Sequence, residues 1–173
     1  MVASKYNMKP QDILVLLKII ALDSKEWQQL ILAQELNMSQ SEISQSLQRS
    51  KYAQLIDFSG KKVNRIAFYE FLIHGLPYVF PQRPAAIVRG IATAHSAAPI
   101  NEIINTSEVY VWPFAKGNTR GQAVLPIYSS AIEASLKDAT LYELLAMVDV
   151  LRVGSTREKE IAKLELKKRI LNE

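Results

Sequence analysis

Apolar residues near the N-terminus follow the spacing of a helix that is buried on most sides. Pro10 suits the first turn of such a helix, where its missing N–H has no intrahelical partner to lose. The apolar positions that follow are Ile13, Leu14, Leu16, Leu17, Ile19 and Ile20. Because they cover nearly every face, the pattern predicts a helix packed between other elements. Asp23 and Ser24 are predicted to end it.

Residues 28–49 predict two further helices joined by a tight turn. The first helix keeps Leu32, Ala33 and Leu36 on one side, and Asn37-Met38 makes the turn. The second helix keeps Ile43 and Leu47 inward. Ser39 and Glu42 have the spacing of a capping box, which places the start of the second helix. This arrangement is typical of a helix-turn-helix.

The outward side of the second helix is polar, and its side chains suit contact with DNA. Glutamine offers paired donor and acceptor groups to adenine, arginine contacts guanine or phosphate, and serine contacts phosphate oxygens or base edges. The candidate residues on this helix and at its start are Ser39, Gln40, Ser41, Ser44, Gln45, Gln48 and Arg49. Two alternatives stay open: an ordinary helical hairpin in a three-helix core, and a winged helix used for protein contacts.

A basic turn follows the helix pair. Leu55, Ile56 and Phe58 predict a short strand, Ser59-Gly60 a turn, and residues 61–63 a return strand. Such a hairpin would form a wing, and Lys61, Lys62 and Arg65 would bind phosphates of the DNA backbone. The alternative is a solvated turn, which commonly carries lysines. Asn64 suits the N-cap of a helix reaching about Ile73.

Residues 76–123 change character, since five of the seven prolines fall there. Residues 78–80 and 109–112 predict short strands, residues 87–98 carry no clear periodicity, and residues 116–121 predict a hairpin turn. From Pro126 onward the pattern is helical, with an apolar stripe from Leu141 to Leu151 and a last helix over 156–171. The predicted fold is therefore mainly α within the α+β class. A winged helix-turn-helix domain covers 1–75, and an α+β extension of short strands and helices covers 76–173.

Composition excludes several kinds of chemistry. With no cysteine and only two histidines in 173 residues, thiolate metal sites and cysteine nucleophiles are excluded and a zinc site is not expected. His95 is predicted to be structural and bonded to backbone. The net charge of +4 permits a polyanionic partner without requiring one. No signal peptide or membrane-spanning run is visible, so we expect a soluble, cytoplasmic protein without cofactors or enzymatic activity.

Residues 10–75 resemble the winged helix-turn-helix of MarR-type transcriptional regulators. The likeness rests on Leu32-Ala33, Leu36, Met38-Ser39, Ile43 and Leu47, followed by Leu55-Ile56 and the turn at Gly60. The whole chain is also similar to bacterial proteins described as regulators of this type, through residues 63–65, 78–81 and 93–95. The resemblance implies DNA binding. Winged-helix proteins of a similar kind act as antitoxins, so it also implies an antitoxin-like regulator as a second possibility.

Together these features predict a DNA-binding transcriptional regulator that works as a homodimer on double-stranded DNA. One short recognition helix discriminates little, whereas two half-sites one helical turn apart would sharpen selectivity. The helices over 139–152 and 156–171 are the predicted dimer contacts. The alternative function is a protein-interaction module that restrains a partner such as a toxin. Salt separates the two, because DNA binding through phosphates weakens steeply as salt rises.

Overall fold

The computed structural model describes residues 3–173, and these fold as an α+β protein in agreement with the predicted class. The strands of this part of the chain are β1 (Ile87–Ala92), β2 (Tyr110–Pro113) and β3 (Thr119–Ala123). The helices are α1 (Pro10–Leu22), α2 (Gln29–Leu36), α3 (Gln40–Tyr52), α4 (Arg65–His74), α5 (Leu76–Val79), α6 (Ile100–Ile103), α7 (Ala131–Leu136), α8 (Ala139–Val153) and α9 (Thr156–Leu171). Short 3-10 turns lie at Ala3–Tyr6 and Ala94–Ser96.

Helix α1 lies at the centre of the N-terminal half, as its all-round apolar pattern predicts. The five residues from Ile13 to Leu17 have no exposed surface. The helix packs against α2 and α3 on one side and against α8 from the second half of the chain on the other. Its first turn is closed by Asp12, whose Oδ2 accepts a hydrogen bond from the backbone N–H of Lys9 at 2.8 Å.

The three strands close on themselves into a very small barrel. β1 pairs antiparallel with β2 through its second half and with β3 through its first half, and β2 pairs parallel with β3. The predicted hairpin turn over 116–121 is therefore wrong, because two strands that both run opposite to β1 run parallel to each other. Tight closure requires glycine: a Cβ at Gly117 would lie 2.0 Å from the carbonyl oxygen of Gly90.

Two other predicted strands differ from the structure. Residues 78–80 do not form a strand, because Leu76–Val79 is the helical turn α5 with a proline in its first turn. The predicted wing strands reduce to a single bridge between Ile56 and Val63. The loop between them is held instead by Asp57, whose backbone and side chain bind the loop's own N–H groups. The predicted strand over 109–112 is confirmed as β2.

Helix α8 joins the two halves of the molecule. Every residue from Leu144 to Leu151 is buried, and α8 packs against α1, α7 and α9, while α9 packs against α4. One continuous hydrophobic core therefore crosses the predicted boundary at residue 75. The apolar stripe of α8 that led to the prediction of a dimer contact over 139–152 is used within the protomer, where α1, α7 and α9 pack against it, so this part of the prediction is wrong. The predicted contact over 156–171 stays a prediction, because Leu164 of α9 is 61% exposed.

Charged and polar groups in the core tie α8 to its neighbours. Asp138 caps α8 by accepting from the N–H of Leu141, and it also accepts from Lys18 of α1 at 2.7 Å. Asp149 accepts from Thr93, from the indole N–H of Trp112 at 2.6 Å and from Arg152. These bonds attach the helix to α1 and to the barrel. The predicted capping box of Ser155 and Glu158 is confirmed at the start of α9.

Candidate nucleic-acid interface

Helix α3 is placed by local features that the sequence already contains. Asn37 takes the left-handed conformation that the turn after α2 requires, with φ 51° and ψ 45°. Ser39 then caps α3, and the Glu42 carboxylate accepts from the N–H of Ser39 at 2.8 Å, so the predicted capping box is confirmed. This backbone hydrogen bond lowers the pKa of Glu42. Ile43 and Leu47 are buried against α1 and α2.

The outward stripe of α3 is open to solvent. Ser41, Gln45 and Gln48 lie three or four residues apart on one face and are exposed. The Gln45 amide reaches only its neighbour, donating to the Ser41 hydroxyl at 3.2 Å. At the start of the helix Ser39 and Gln40 are also exposed, and Ser44 is half-buried. These residues lie on one accessible face, as the helical spacing predicted.

Arg49 is not part of this face, and its predicted exposure is wrong. The side chain is 5% exposed and forms a bidentate ion pair with the fully buried Asp12. Its Nε and Nη2 donate to the two carboxylate oxygens at 2.9 and 2.7 Å. A charge at this depth needs a partner, and Asp12 of α1 supplies one. Arg49 therefore fixes α3 against α1 and lines a groove beside the outward stripe.

The loop after α3 is short and internally braced. The Asp57 carboxylate accepts from the Ser59 hydroxyl and from the N–H groups of Lys61 and Lys62. The hydrogen bond from the Lys62 N–H is the largest cause of the lowered pKa of Asp57. These hydrogen bonds favour the ionised carboxylate, so one negative charge stays inside the loop beside the two exposed lysines.

The predicted phosphate-binding residues of this region divide into two groups. Lys61 lies over the ring of Trp27, with its Nζ 4.3 Å from the ring centroid, and Lys62 is free of side-chain hydrogen bonds among the described residues. Both are exposed. Arg65 is half-buried and donates to the carbonyl of Ile170 at 2.8 Å, so it holds α4 to the end of α9. It is a weaker candidate for a phosphate contact than the two lysines.

Three residues that the sequence did not single out border the outward face. Lys51 and Tyr52 continue the stripe from Gln48 at spacings of three and four, so helical periodicity could have found them. The Lys51 stem lies against Gly60, which has φ +74° and no Cβ to obstruct it. Lys5 becomes a neighbour only through folding: Tyr6 stacks on Tyr52 with ring centroids 4.5 Å apart.

Two grooves flank the stripe. The first has a volume of about 380 Å³ and is lined by Lys5, Tyr6, Gln45, Gln48 and Arg49. The second is smaller, about 150 Å³, and separates α3 from the braced loop. Lysines therefore border the polar stripe on both sides, and the described part of the chain does not cover it.

The second half of the chain contacts the α2–α3 turn and the beginning of α3. The Tyr128 hydroxyl donates to Glu42 at 3.2 Å, and the Asn37 amide donates to Glu133 at 2.8 Å. The carboxylate of Glu133 gives the α2–α3 turn a negative neighbour. The exposed lysines lie at the opposite end, beside the later turns of α3 and in the loop.

His95, the other candidate group, lies inside the fold. His95 is buried, and its Nε2 lies 2.9 Å from the carbonyl oxygen of Glu108, so its predicted bond to backbone is confirmed. Within residues 3–173, no three His, Asp or Glu side chains cluster in a way that could hold a metal ion. No helix among these residues is both long enough and apolar enough to cross a bilayer.

Comparison with known proteins leaves the family open. No family model, curated protein or solved structure matches the chain.

Proposed function

We propose that the protein is a transcriptional regulator that binds double-stranded DNA, with α2, the Asn37-Met38 turn and α3 acting as its helix-turn-helix. In this proposal α3 enters the major groove, and the loop after it acts as a short wing on the phosphate backbone. Such a role is not enzymatic and places the protein in the cytoplasm.

One observation carries the proposal: a helix buried on one side keeps an uncovered polar stripe on the other, bordered by lysines. Gln45 and Gln48 carry the paired donor and acceptor groups that recognise adenine. Lysines on both sides supply phosphate contacts, which add affinity independently of sequence. The lysines concerned are Lys5, Lys51, Lys61 and Lys62.

The proposal includes a homodimer, because a single helix of this length reads few base pairs. Two copies on half-sites about 34 Å apart would multiply the discrimination. Sedimentation of the free protein and of its DNA complex tests this part. If the complex holds one protein copy on every duplex tested, the homodimer is refuted while DNA binding stands.

The direct test is a binding titration with a duplex selected by the protein from a randomised pool. We expect Gln45→Ala and Gln48→Ala each to cost about 1–3 kcal/mol of binding free energy and to relax base preference. Lys62→Ala should weaken binding to all sequences and reduce the salt slope by about one. Asn101→Ala, an exposed amide on α6, is the matched control and should change nothing. If none of the three interface substitutions changes the affinity for the duplex, the proposal is refuted.

A second candidate is an antitoxin-like module that restrains a partner protein. The observation favouring it is that large apolar side chains of the second half are exposed: Tyr78 by 83%, Ile87 by 64% and Leu125 by 57%. The segments carrying Phe80 and Leu125 are adjacent, because Arg152 donates to both carbonyls. Under this alternative the protein would bind no duplex even at low salt, and its complex with a co-expressed partner would resist high salt.

A further inference from the structure

The braced loop after α3 presents an aromatic side chain that the fold does not use. Phe58 is 99% exposed, more than any other large apolar residue among those described. Burying a phenylalanine side chain is favourable, and the folded chain gains none of that free energy here. The side chain is therefore available for a contact outside the protomer.

The backbone around Phe58 is fixed by hydrogen bonds. The N–H of Asp57 donates to the carbonyl of Lys62 at 2.7 Å, and the N–H of Gly60 donates back to the carbonyl of Asp57 at 2.9 Å. The Asp57 carboxylate closes the same loop from inside. A side chain on a preorganised loop loses little backbone freedom on binding. The free energy gained by burying it therefore contributes to the affinity of the complex without a large entropic loss.

The charges around Phe58 indicate which partner it meets. Lys61 and Lys62 follow in the same loop, and Lys51 lies against Gly60. The one carboxylate in the loop, Asp57, is occupied by the loop's own donors. An aromatic side chain surrounded by cations is complementary to a polyanion that also offers apolar stacking surfaces, and a nucleic-acid duplex offers both.

We propose that Phe58 is a wedge that inserts between stacked base pairs beside the site read by α3, and so bends the DNA. This inference rests on the proposed DNA binding and adds a contact to it. Apolar side chains that enter a base step partly unstack it and kink the duplex by roughly 20–90°. The energy of unstacking depends on the step, so the wedge would favour flexible pyrimidine–purine steps at a position that no side chain reads by hydrogen bonds.

The test compares Phe58→Ala and Phe58→Leu with the unaltered protein on the same selected duplex, labelled at both ends for energy transfer and carrying 2-aminopurine at successive steps. We expect the unaltered protein to bend the duplex and to raise 2-aminopurine emission at one step. Phe58→Ala should lose both signals and bind roughly tenfold more weakly, the scale of one base-stacking contact, with an unchanged salt slope. Phe58→Leu should keep part of the bend.

Two controls make the outcome decisive. Because Phe58 is almost fully exposed, its variants should unfold at the same urea concentration as the unaltered protein. Tyr78→Ala is the second control, because it removes another exposed aromatic ring outside the interface. If Phe58→Ala binds and bends DNA normally, the wedge is refuted while DNA binding stands. If the unaltered protein binds no duplex, the proposed function fails as well. Loss of binding to vesicles of anionic lipid in Phe58→Ala, with DNA affinity unchanged, would also overturn the wedge.

Discussion

Replacing Arg49 by alanine tests whether this residue stabilises the fold or contacts DNA. The sequence predicts an exposed DNA contact, whereas the structure shows a buried ion pair with Asp12. The substitution leaves the Asp12 carboxylate fully buried, and its hydrogen bond from the Lys9 N–H is all that remains of its partners. Removing one member of a buried ion pair costs about 3–5 kcal/mol, because the other charge stays uncompensated. We therefore expect Arg49→Ala to lower the free energy of unfolding by that amount.

Urea unfolding followed by circular dichroism measures the change. The double variant Asp12→Ala/Arg49→Ala removes both charges, so it should lose less stability than the sum of the two single variants. Gln48→Ala, one residue away but exposed, should change stability by less than about 0.5 kcal/mol. In the folded state at low temperature, Arg49→Ala should keep its preference for particular bases.

One result would refute this reasoning. If Arg49→Ala unfolds like the unaltered protein and instead loses about 1–3 kcal/mol of DNA binding, the arginine contacts a base or a phosphate. Arg49 would then not form its ion pair with Asp12.

Three further predictions follow from other parts of the molecule. Burial alone would raise the pKa of Asp138, but the hydrogen bond from Lys18 and the N–H of Leu141 lower it overall from 3.8. Because the folded pKa is lower than the unfolded one, the ionised carboxylate stabilises the fold above pH 3.8, and this stability is lost as the pH falls through the folded pKa. In a plot of unfolding free energy against pH, Asp138→Asn should therefore show a flatter acid side than the unaltered protein. Gly117→Ala should destabilise the barrel by about 1–3 kcal/mol in urea unfolding, since its Cβ would meet the Gly90 carbonyl; an unchanged midpoint would mean that the strands can separate at no cost. DNA binding should change the fluorescence of Trp27, whose ring lies under Lys61. Trp112 is 1% exposed, so its fluorescence should stay constant. A fluorescence change on DNA binding that persists in Trp27→Phe would contradict this assignment.

Features that depend on residues three or four apart could be predicted from the sequence. The capping boxes at Ser39 and Ser155, the turn at Asn37 and the outward stripe through Gln45 and Gln48 all have this local origin. Helical geometry fixes which side chains share a face, and short polar side chains close the first turn wherever the helix packs. For this reason the polar face of α3 was visible in the sequence, together with the α+β class of the fold.

Contacts between distant segments were decided only by the tertiary structure. Local spacing predicts Arg49 on the outward face with Gln48, because its partner Asp12 lies 37 residues away in sequence. The direction of β3 follows from β1 pairing with both other strands, and the stripe of α8 is covered by α1 rather than by a second copy. The charge and hydrophobicity of a residue predict only that its side chain needs a partner. Folding selects which partner it receives, because the free energy of burial depends on all the groups packed together.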